Sequence, residues 1–156
     1  MTPEAWTDYT NKLRRSNDAV WAVARYLHSF TYTVTVPALH IAESPDQYND
    51  YVDEGDIILH RDNNKDIVEV KHQSWNWTSH QDIPWKEIIV CAKKAYDRHT
   101  NKPAVYFLVN KQLSHALTIP TETHHTWTVK DIHDKQKDWI ETMYMINPNN
   151  YKFIEL

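Results

Sequence analysis

Three charged residues near the middle of the chain have the types and spacing that could bind a metal ion and activate water. Asp56 follows Gly55, the chain's one glycine, and Glu69 and Lys71 lie further along. Twelve residues separate the two acids, enough for one strand, a turn and the start of a second strand. Carboxylate oxygens suit Mg²⁺ or Mn²⁺. The spacing therefore indicates a metal-dependent hydrolase with Lys71 beside its metal ligands.

The elements that must position these residues are two strands joined by a turn. Residues 57–59 and 67–71 are rich in apolar, β-prone side chains, and the polar residues 61–65 between them favour a turn. This pattern predicts a β-hairpin. Asp56 stands at the start of its first strand, and the Glu-x-Lys sequence stands on its second.

Side chains alternate along a strand, and this sorts the residues of the second strand into two faces. Glu69, Lys71 and Gln73 share one face, whereas Val68 and Val70 share the other. The charged groups can therefore line a cleft while the valines face a core. Gln73 becomes a further candidate site residue.

A helix and a strand are predicted before the hairpin. Residues 2–28 begin with a cap, a proline and a first-turn acid, and then carry apolar residues at helical spacing. Residues 16–18 prefer caps, so this stretch is either one helix or two helices that meet there. Residues 30–36 alternate strictly between apolar and threonine side chains until Pro37, which predicts a strand.

A helix and a buried strand are predicted after the hairpin. Residues 82–84 favour a helix start, and apolar residues then recur at helical spacing to about residue 99. Residues 104–109 form a continuous apolar run typical of a central strand, so the helix is expected to be a crossover connection. The order is αβββαβ, followed by weaker strands at 117–119 and 126–129, a C-terminal helix at 131–145 and an edge strand at 151–154.

This order and these residues resemble the PD-(D/E)XK nuclease superfamily, whose central mixed sheet carries an Asp on one strand and Glu-x-Lys on the next. The resemblance covers about residues 30–109, and Gly55 stands where the family motif has proline. It implies that Asp56 and Glu69 bind Mg²⁺ or Mn²⁺, with the main-chain carbonyl of Val70 as an additional ligand. It further implies that Lys71 orients or activates the attacking water.

The resemblance also sets expectations for the whole chain. It implies a single domain over residues 1–156 with an α/β, restriction-endonuclease-like core, in which helices flank a central mixed sheet. DNA is the expected substrate. The chain's small size and modest charge suggest that a homodimer or a larger complex completes the substrate surface, as small nucleases of this superfamily often do. A phage or mobile-element origin is a further interpretation, which the composition does not test.

Composition limits the other possibilities. The chain has 156 residues, 41% of them hydrophobic, which is sufficient for one core. Its net charge of −4 argues against a protein that coats nucleic acid through bulk charge. One cysteine excludes an internal disulfide, and one glycine excludes glycine-rich nucleotide-binding loops. No apolar run approaches the roughly 20 residues that span a bilayer, so the expectation is a soluble protein of the cytoplasm, or of the host cytoplasm if phage-encoded.

Several residues have two interpretations. Asp18 and Glu54 could add acidic ligands, although a helix cap and a solvated loop acid explain them as well. Trp75 and Trp77 could stack on bases or wedge a duplex, or they could pack over a sheet edge. Two basic groups could contact phosphates or form solvated faces: Lys12, Arg14 and Arg15 in the first helix, and Lys86, Lys93, Lys94 and Arg98 after the hairpin.

Other functions compete with the DNA nuclease. A non-catalytic nucleic-acid or protein-binding module could keep the same fold, and an RNA-directed nuclease would share the metal chemistry. Zinc binding by His124, His125 and His133 is disfavoured, because adjacent residues of a strand point to opposite faces and no cysteine supports them. Cys91 is interpreted as a small core residue.

Overall fold

The computed structural model describes residues 3–44, 46–47, 55–134 and 139–156. Within these ranges the chain forms two α-helices and nine strands. Their bounds are α1 Pro3–Ser29, β1 Thr33–Thr35, β2 Ile57–Arg61, β3 Asn64–His72, β4 Ile88–Ala92, α2 Lys93–Arg98, β5 Val105–Val109, β6 His115–Pro120, β7 Thr128–Asp134, β8 Trp139–Ile146 and β9 Lys152–Glu155. Neither helix has the length and apolar character that crossing a bilayer requires.

The first helix is confirmed, and it is a single helix. Its apolar residues recur at helical spacing and are buried over its second half. Ser16 does not break it, because its hydroxyl donates a hydrogen bond to the carbonyl of Leu13 at 2.8 Å. The predicted cap at Thr2 lies outside the described residues. The helix continues to Ser29, and Thr31 then has a φ of 67°, so the following strand is shorter than the predicted 30–36.

Six strands form the central sheet, called sheet one here, in the order β1-β2-β3-β5-β6-β9. Strand β3 pairs with β5 in parallel, whereas the other neighbouring pairs are antiparallel. The predicted α/β class and mixed sheet are therefore confirmed. So is the predicted hairpin, although its turn is tighter than expected: Arg61 pairs with Asn64, and Asp62 takes a φ of 49°, a conformation that aspartate tolerates.

Three strands form sheet two, in the order β4-β8-β7. The helix predicted over residues 85–99 is wrong over its first half, because β4 occupies Ile88–Ala92 and only Lys93–Arg98 is helical. Ile88 and Val90 are buried while Ile89 between them is exposed, which is the alternation of a strand. Branched side chains at these three positions favour that choice.

The helix predicted at residues 131–145 is also wrong, because residues 131–134 lie in β7 and residues 139–145 lie in β8. The two strands pair antiparallel from Thr128 with Met145 to Asp134 with Trp139. Strand β8 then pairs with β4 along its other edge. Branched and aromatic side chains in β8 suit a pleated surface, and pairing on both edges stabilises the strand. The predicted strands at 117–119 and 151–154 are confirmed by β6 and β9, and the one at 126–129 is displaced into β7.

The two faces of sheet one have different covers. Helix α1 packs on one face, against a core of mainly aliphatic residues from β2, β3, β5 and β6. Sheet two and α2 pack on the other face, where the core is richer in aromatic residues. A helix thus lies on each face, as expected, but on the second face the short α2 is accompanied by sheet two, which was not predicted. The aromatic core is formed by Trp77, Ile88, Val90, Tyr96, Tyr106, Leu108, Leu117, Ile119, Trp127, Tyr144 and Ile146.

Candidate active site

The glycine before Asp56 is required by the local backbone. Gly55 has a φ of 121°, a conformation that residues with a side chain rarely adopt. A Cβ atom at this position would lie 2.3 Å from Cγ2 of Ile67 on the neighbouring strand. Gly55 therefore permits the chain to enter β2 directly against β3, and it sets the position of Asp56.

Strand register brings Asp56 and Glu69 together. Ile57 pairs with Val68 in the antiparallel hairpin, so one further step of the same register places Asp56 opposite Glu69. The Oδ2 atom of Asp56 accepts a hydrogen bond from the backbone N–H of Val70 at 2.7 Å. The side chain of Asp56 thereby continues the hydrogen bonding of the two strands past the start of β2, and the carboxyl group is held in one orientation.

The two acids interact strongly because Asp56 is largely shielded from water. Burial raises the pKa of Asp56, and the negative charge and hydrogen bonding of Glu69 raise it further, to about 8. The Val70 N–H and the charge of Lys71 act in the opposite direction but do not cancel these effects. At neutral pH the pair therefore holds a proton in the absence of metal, and a cation would replace that proton.

Lys71 is the accessible member of the site. Its Nζ atom lies 3.4 Å from Oε2 of Glu69, and its side chain is 47% exposed whereas that of Glu69 is 17% exposed. The carboxylates therefore lie at the base of the site, and the ammonium group lies at its opening. A weak, exposed ion pair of this kind contributes little to stability.

Tyr106 and Cys91 form a wall beside the carboxylates that was not predicted from the sequence. Tyr106 pairs with Glu69 in the parallel register of β3 and β5, so both side chains are on the same face. Burial raises the pKa of the Cys91 thiol and of the Tyr106 hydroxyl, and Cys91 raises the pKa of Tyr106 further. Cys91 thus lies in a strand beside the site and not in the predicted helix. The apolar run of residues 104–109 predicted a central strand, but it did not single out Tyr106 or identify the strand that carries Cys91.

Two other predicted site residues lie close by in sequence. Gln73 lies just beyond β3, and its backbone N–H donates to the carbonyl of Val109 at 2.7 Å. Among the described residues no side-chain hydrogen bond joins Gln73 to Asp56 or Glu69. Val70 is fixed through its N–H, and the role of its carbonyl as a metal ligand stays a prediction.

The other candidate residues were two acids and two tryptophans. Asp18 is exposed on α1, which packs against the opposite face of sheet one, and Glu54 lies outside the described residues. Trp77 is 2% exposed, which confirms the packing interpretation for it. Trp75 is 59% exposed and lies edge-on to Trp85.

The basic residues do not form the single helical face that was considered. Lys86 precedes β4, while Lys93 lies in α2, forms an ion pair with Asp97 and lies 5.6 Å from the centre of the Tyr144 ring. In α1, Nε of Arg15 donates to a carbonyl of its own helix. Lys93 and Arg15 are therefore engaged in contacts within the protein, and Lys86 lies outside the helix that carries the rest of its group.

The donor set fits a hard divalent cation. Across the described ranges no group of three or more His, Cys, Asp or Glu residues could hold a metal ion. Two partly buried carboxylates that face each other nevertheless suit Mg²⁺, which is commonly held by one or two carboxylates with water and substrate oxygens completing its shell. Two of the histidines considered for zinc make other contacts. His124 stacks on Tyr96 with ring centres 4.7 Å apart, and Nδ1 of His125 contacts the Glu122 carbonyl oxygen.

Comparison with known proteins gives no relative. No family model, curated protein or solved structure matches the chain. Function must therefore be inferred from the chemistry and geometry of particular residues, because a fold by itself does not determine an activity. Those residues are the carboxylate pair Asp56 and Glu69, the exposed Lys71, and the wall formed by Tyr106 and Cys91.

Proposed function

We propose that the protein is a Mg²⁺-dependent deoxyribonuclease that hydrolyses DNA phosphodiester bonds at Asp56, Glu69 and Lys71. The observation that carries the proposal is the pair of acids facing each other on adjacent strands, with Lys71 beside Glu69. Two ionised carboxylates placed directly opposite on paired strands repel each other, and for this reason the pair holds a proton at neutral pH in the absence of metal. A cation bound between them would take the place of that proton and allow both acids to be ionised.

The ligands for that cation would be the carboxylates of Asp56 and Glu69 and the main-chain carbonyl of Val70, with Mn²⁺ able to substitute for Mg²⁺. When bound, the metal neutralises charge that develops on the phosphate and lowers the pKa of water. The protein itself contributes orientation. The Val70 N–H fixes Asp56 at 2.7 Å, so the position of the ligand does not have to be established during the reaction.

Lys71 is suited to act on the substrate and the attacking water. Its ammonium group lies at the opening of the site, with its side chain 47% exposed. From there it can donate hydrogen bonds to a water molecule or to a phosphate oxygen. Glu69 holds it nearby, with 3.4 Å between Nζ and Oε2. The charge on Lys71 also favours the more negative transition state of phosphodiester hydrolysis.

Cleavage assays with a matched pair of acid variants test this proposal. Supercoiled, linear and single-stranded DNA would be incubated with Mg²⁺, Mn²⁺ or EDTA and the wild-type, Glu69→Gln or Glu87→Gln protein. Glu87 is the control because it forms an exposed ion pair with Lys130 at 2.9 Å, with its side chain 42% exposed. We expect metal-dependent cutting by the wild-type protein and Glu87→Gln, and none by Glu69→Gln. Equal cutting by all three proteins would contradict the proposed site.

Metal binding and substrate choice separate the competing functions. We expect Mn²⁺ binding by calorimetry in the wild-type protein and its loss in Glu69→Gln. A wild-type protein that neither binds Mn²⁺ nor cuts DNA would support the non-catalytic binding module. RNA of the same sequence, tested in parallel, identifies an RNA-directed nuclease if it is cut in preference to DNA.

A further inference from the structure

Trp75 is exposed even though the chain around it is firmly held. Its side chain is 59% exposed, whereas Trp77, two residues later, is 2% exposed. The carbonyl of Trp75 accepts a hydrogen bond from the backbone N–H of Lys111 at 2.9 Å. A large apolar ring on a fixed backbone loses little further freedom when it binds a ligand, which favours recognition.

Asn110 is the residue that fixes this loop. It is fully buried, and its amide donates to the carbonyl of Trp77 at 2.8 Å and to Oδ1 of Asn76 at 3.2 Å. Its own Oδ1 accepts from the backbone N–H of Ser114 at 2.9 Å. The segment that carries Trp75 is therefore tied to the end of β5 through a buried polar network, and this network fixes the backbone beside Trp75.

The Trp75 ring is also oriented by a second indole. The rings of Trp75 and Trp85 lie 6.0 Å apart at 83°, an edge-to-face arrangement. Trp85 packs against the aromatic core that contains Leu108. Leu108 pairs with Lys71 in the register of β3 and β5, so the two tryptophans stand on the same side of sheet one as Lys71.

The distance from the candidate active site suits a nucleic-acid strand. Trp75 follows Lys71 by four residues, which span at most about 14 Å of extended chain. The Trp75 ring is therefore within a few nucleotides of a strand that is bound at Lys71. Lys111, bonded to the loop, and Lys86, next to Trp85, are exposed and add positive charge near the path that the phosphates would follow.

We infer that Trp75 is a stacking platform for an unpaired base of the DNA strand that is cut at Asp56, Glu69 and Lys71. The inference rests on the proposed nuclease function and deepens it, because it names single-stranded DNA, or an unpaired segment next to a duplex, as the substrate. An exposed indole face is complementary to any base and needs no particular sequence. Bases inside a duplex already stack on one another, so only an unpaired base gains a partner.

Binding measurements in EDTA isolate this interaction from cleavage. The affinity of the full-length protein for a labelled 12-nucleotide oligo(dT) and for a blunt 12-base-pair duplex would be measured by fluorescence anisotropy. Trp75→Ala would be compared with Trp75→Phe and with Trp21→Ala. Trp21 is the control because it is 49% exposed on α1, which covers the opposite face of the sheet.

We expect Trp75→Ala to weaken oligo(dT) binding by about fivefold or more. Trp75→Phe retains an aromatic ring and should recover most of this loss, while Trp21→Ala binds as the wild-type protein does. Duplex affinity should change little in all three variants. Equal binding by the Trp75→Ala and Trp21→Ala proteins, an equal loss on duplex, or no oligo(dT) binding by the wild-type protein would overturn the inference.

The two proposals fail in different ways. A wild-type protein that binds oligo(dT) through Trp75 but cuts no DNA removes the nuclease function and leaves Trp75 as a single-strand binding residue. Metal-dependent cutting that is lost in Glu69→Gln, together with unchanged oligo(dT) binding by Trp75→Ala, removes only the stacking platform.

Discussion

The two faces of sheet one differ in how completely they are covered. On one face, α1 covers β2, β3, β5 and β6, and Val68 and Val70 of β3 are buried there. On the other face, the buried cluster under sheet two includes no described residue of β2 or β3. Glu69 and Lys71 occupy that uncovered part. One strand thus contributes to a core on one side and to a candidate active site on the other.

This difference indicates that stability and chemistry are divided between the faces. Aliphatic packing under α1 and the pairing of β2 with β3 hold the two strands in register, and Asp56 adds one hydrogen bond from the Val70 N–H. The acids can then be kept close together although their repulsion opposes folding. Substitutions on the two faces should therefore have separable effects.

Lys71→Ala is expected to give the largest effect on activity, a decrease in the cleavage rate of about 10²–10⁴-fold, the range typical of a group that assists proton transfer. Its melting temperature should stay close to that of the wild-type protein, since the pair with Glu69 is exposed. Val68→Ala on the opposite face is the control, with lower stability and a normal rate. Single-turnover kinetics would measure the cleavage rate, and thermal melts would measure the stability. A large loss of stability in Lys71→Ala would show that stability and chemistry are not divided between the two faces.

Phe107→Ala tests the aliphatic face. Phe107 is 3% exposed beneath α1 and contacts Tyr26 edge-on, with ring centres 6.4 Å apart. We expect the substitution to lower the free energy of unfolding by about 3–5 kcal/mol. Urea denaturation would measure it, and the cleavage rate well below the melting temperature should be unchanged. A large loss of activity in the folded variant would show that the two faces are coupled.

Gly55→Ala tests the backbone at the entry to β2, next to Asp56. We expect a loss of about 1–3 kcal/mol in stability from the positive φ, with a further loss because the new Cβ would meet Ile67 at 2.3 Å. When Gly55→Ala is combined with Ile67→Ala, the stability loss caused by the clash should disappear, and the loss caused by the positive φ should remain. A double-mutant cycle measured by chemical denaturation gives both values, and strict additivity would contradict the predicted clash.

Asp56→Asn tests the repulsion between the acids through its pH dependence. The pKa of Asp56 is raised from 3.8 to about 8 in the folded protein, so the folded state binds the proton more tightly. Its contribution to stability is therefore present at low pH and is lost as the pH rises from about 4 to about 8. In EDTA near pH 8 we expect Asp56→Asn to be more stable than the wild-type protein by at least about 1 kcal/mol.

The same variant should show little difference in stability near pH 4, where Asp56 is neutral in the folded protein. It should also lose the stabilisation that Mn²⁺ gives to the wild-type protein. Denaturation at several pH values, with EDTA or with Mn²⁺, measures both effects. A variant that is less stable than the wild-type protein near pH 8 would show that Asp56 and Glu69 do not repel each other.

Much of the site, but less of the fold, could be predicted from the sequence. Asp56 and Glu69 belong to one hairpin, so local patterns were sufficient to place them on paired strands. Residues 85–99 were misread because their apolar residues fit a helical period and a strand alternation equally well, and pairing with β8 decides between them. The wall of Tyr106 and Cys91 depends on contacts between distant strands, which no local pattern reports.

The tight turn of the β2–β3 hairpin also has a kinetic consequence. Arg61 and Asn64 are paired across a two-residue loop, and hairpins of this kind form within about 1–10 μs. Pairing of β3 with β5 must instead close the long segment 73–104, which is slower because of its loop entropy. We expect Asp56 and Glu69 to meet early, while water still surrounds them. Tyr106 joins Glu69 only when β5 pairs with β3, so the surroundings that raise the pKa of Asp56 are completed late in folding. Under the proposed function, divalent cations should accelerate that late step.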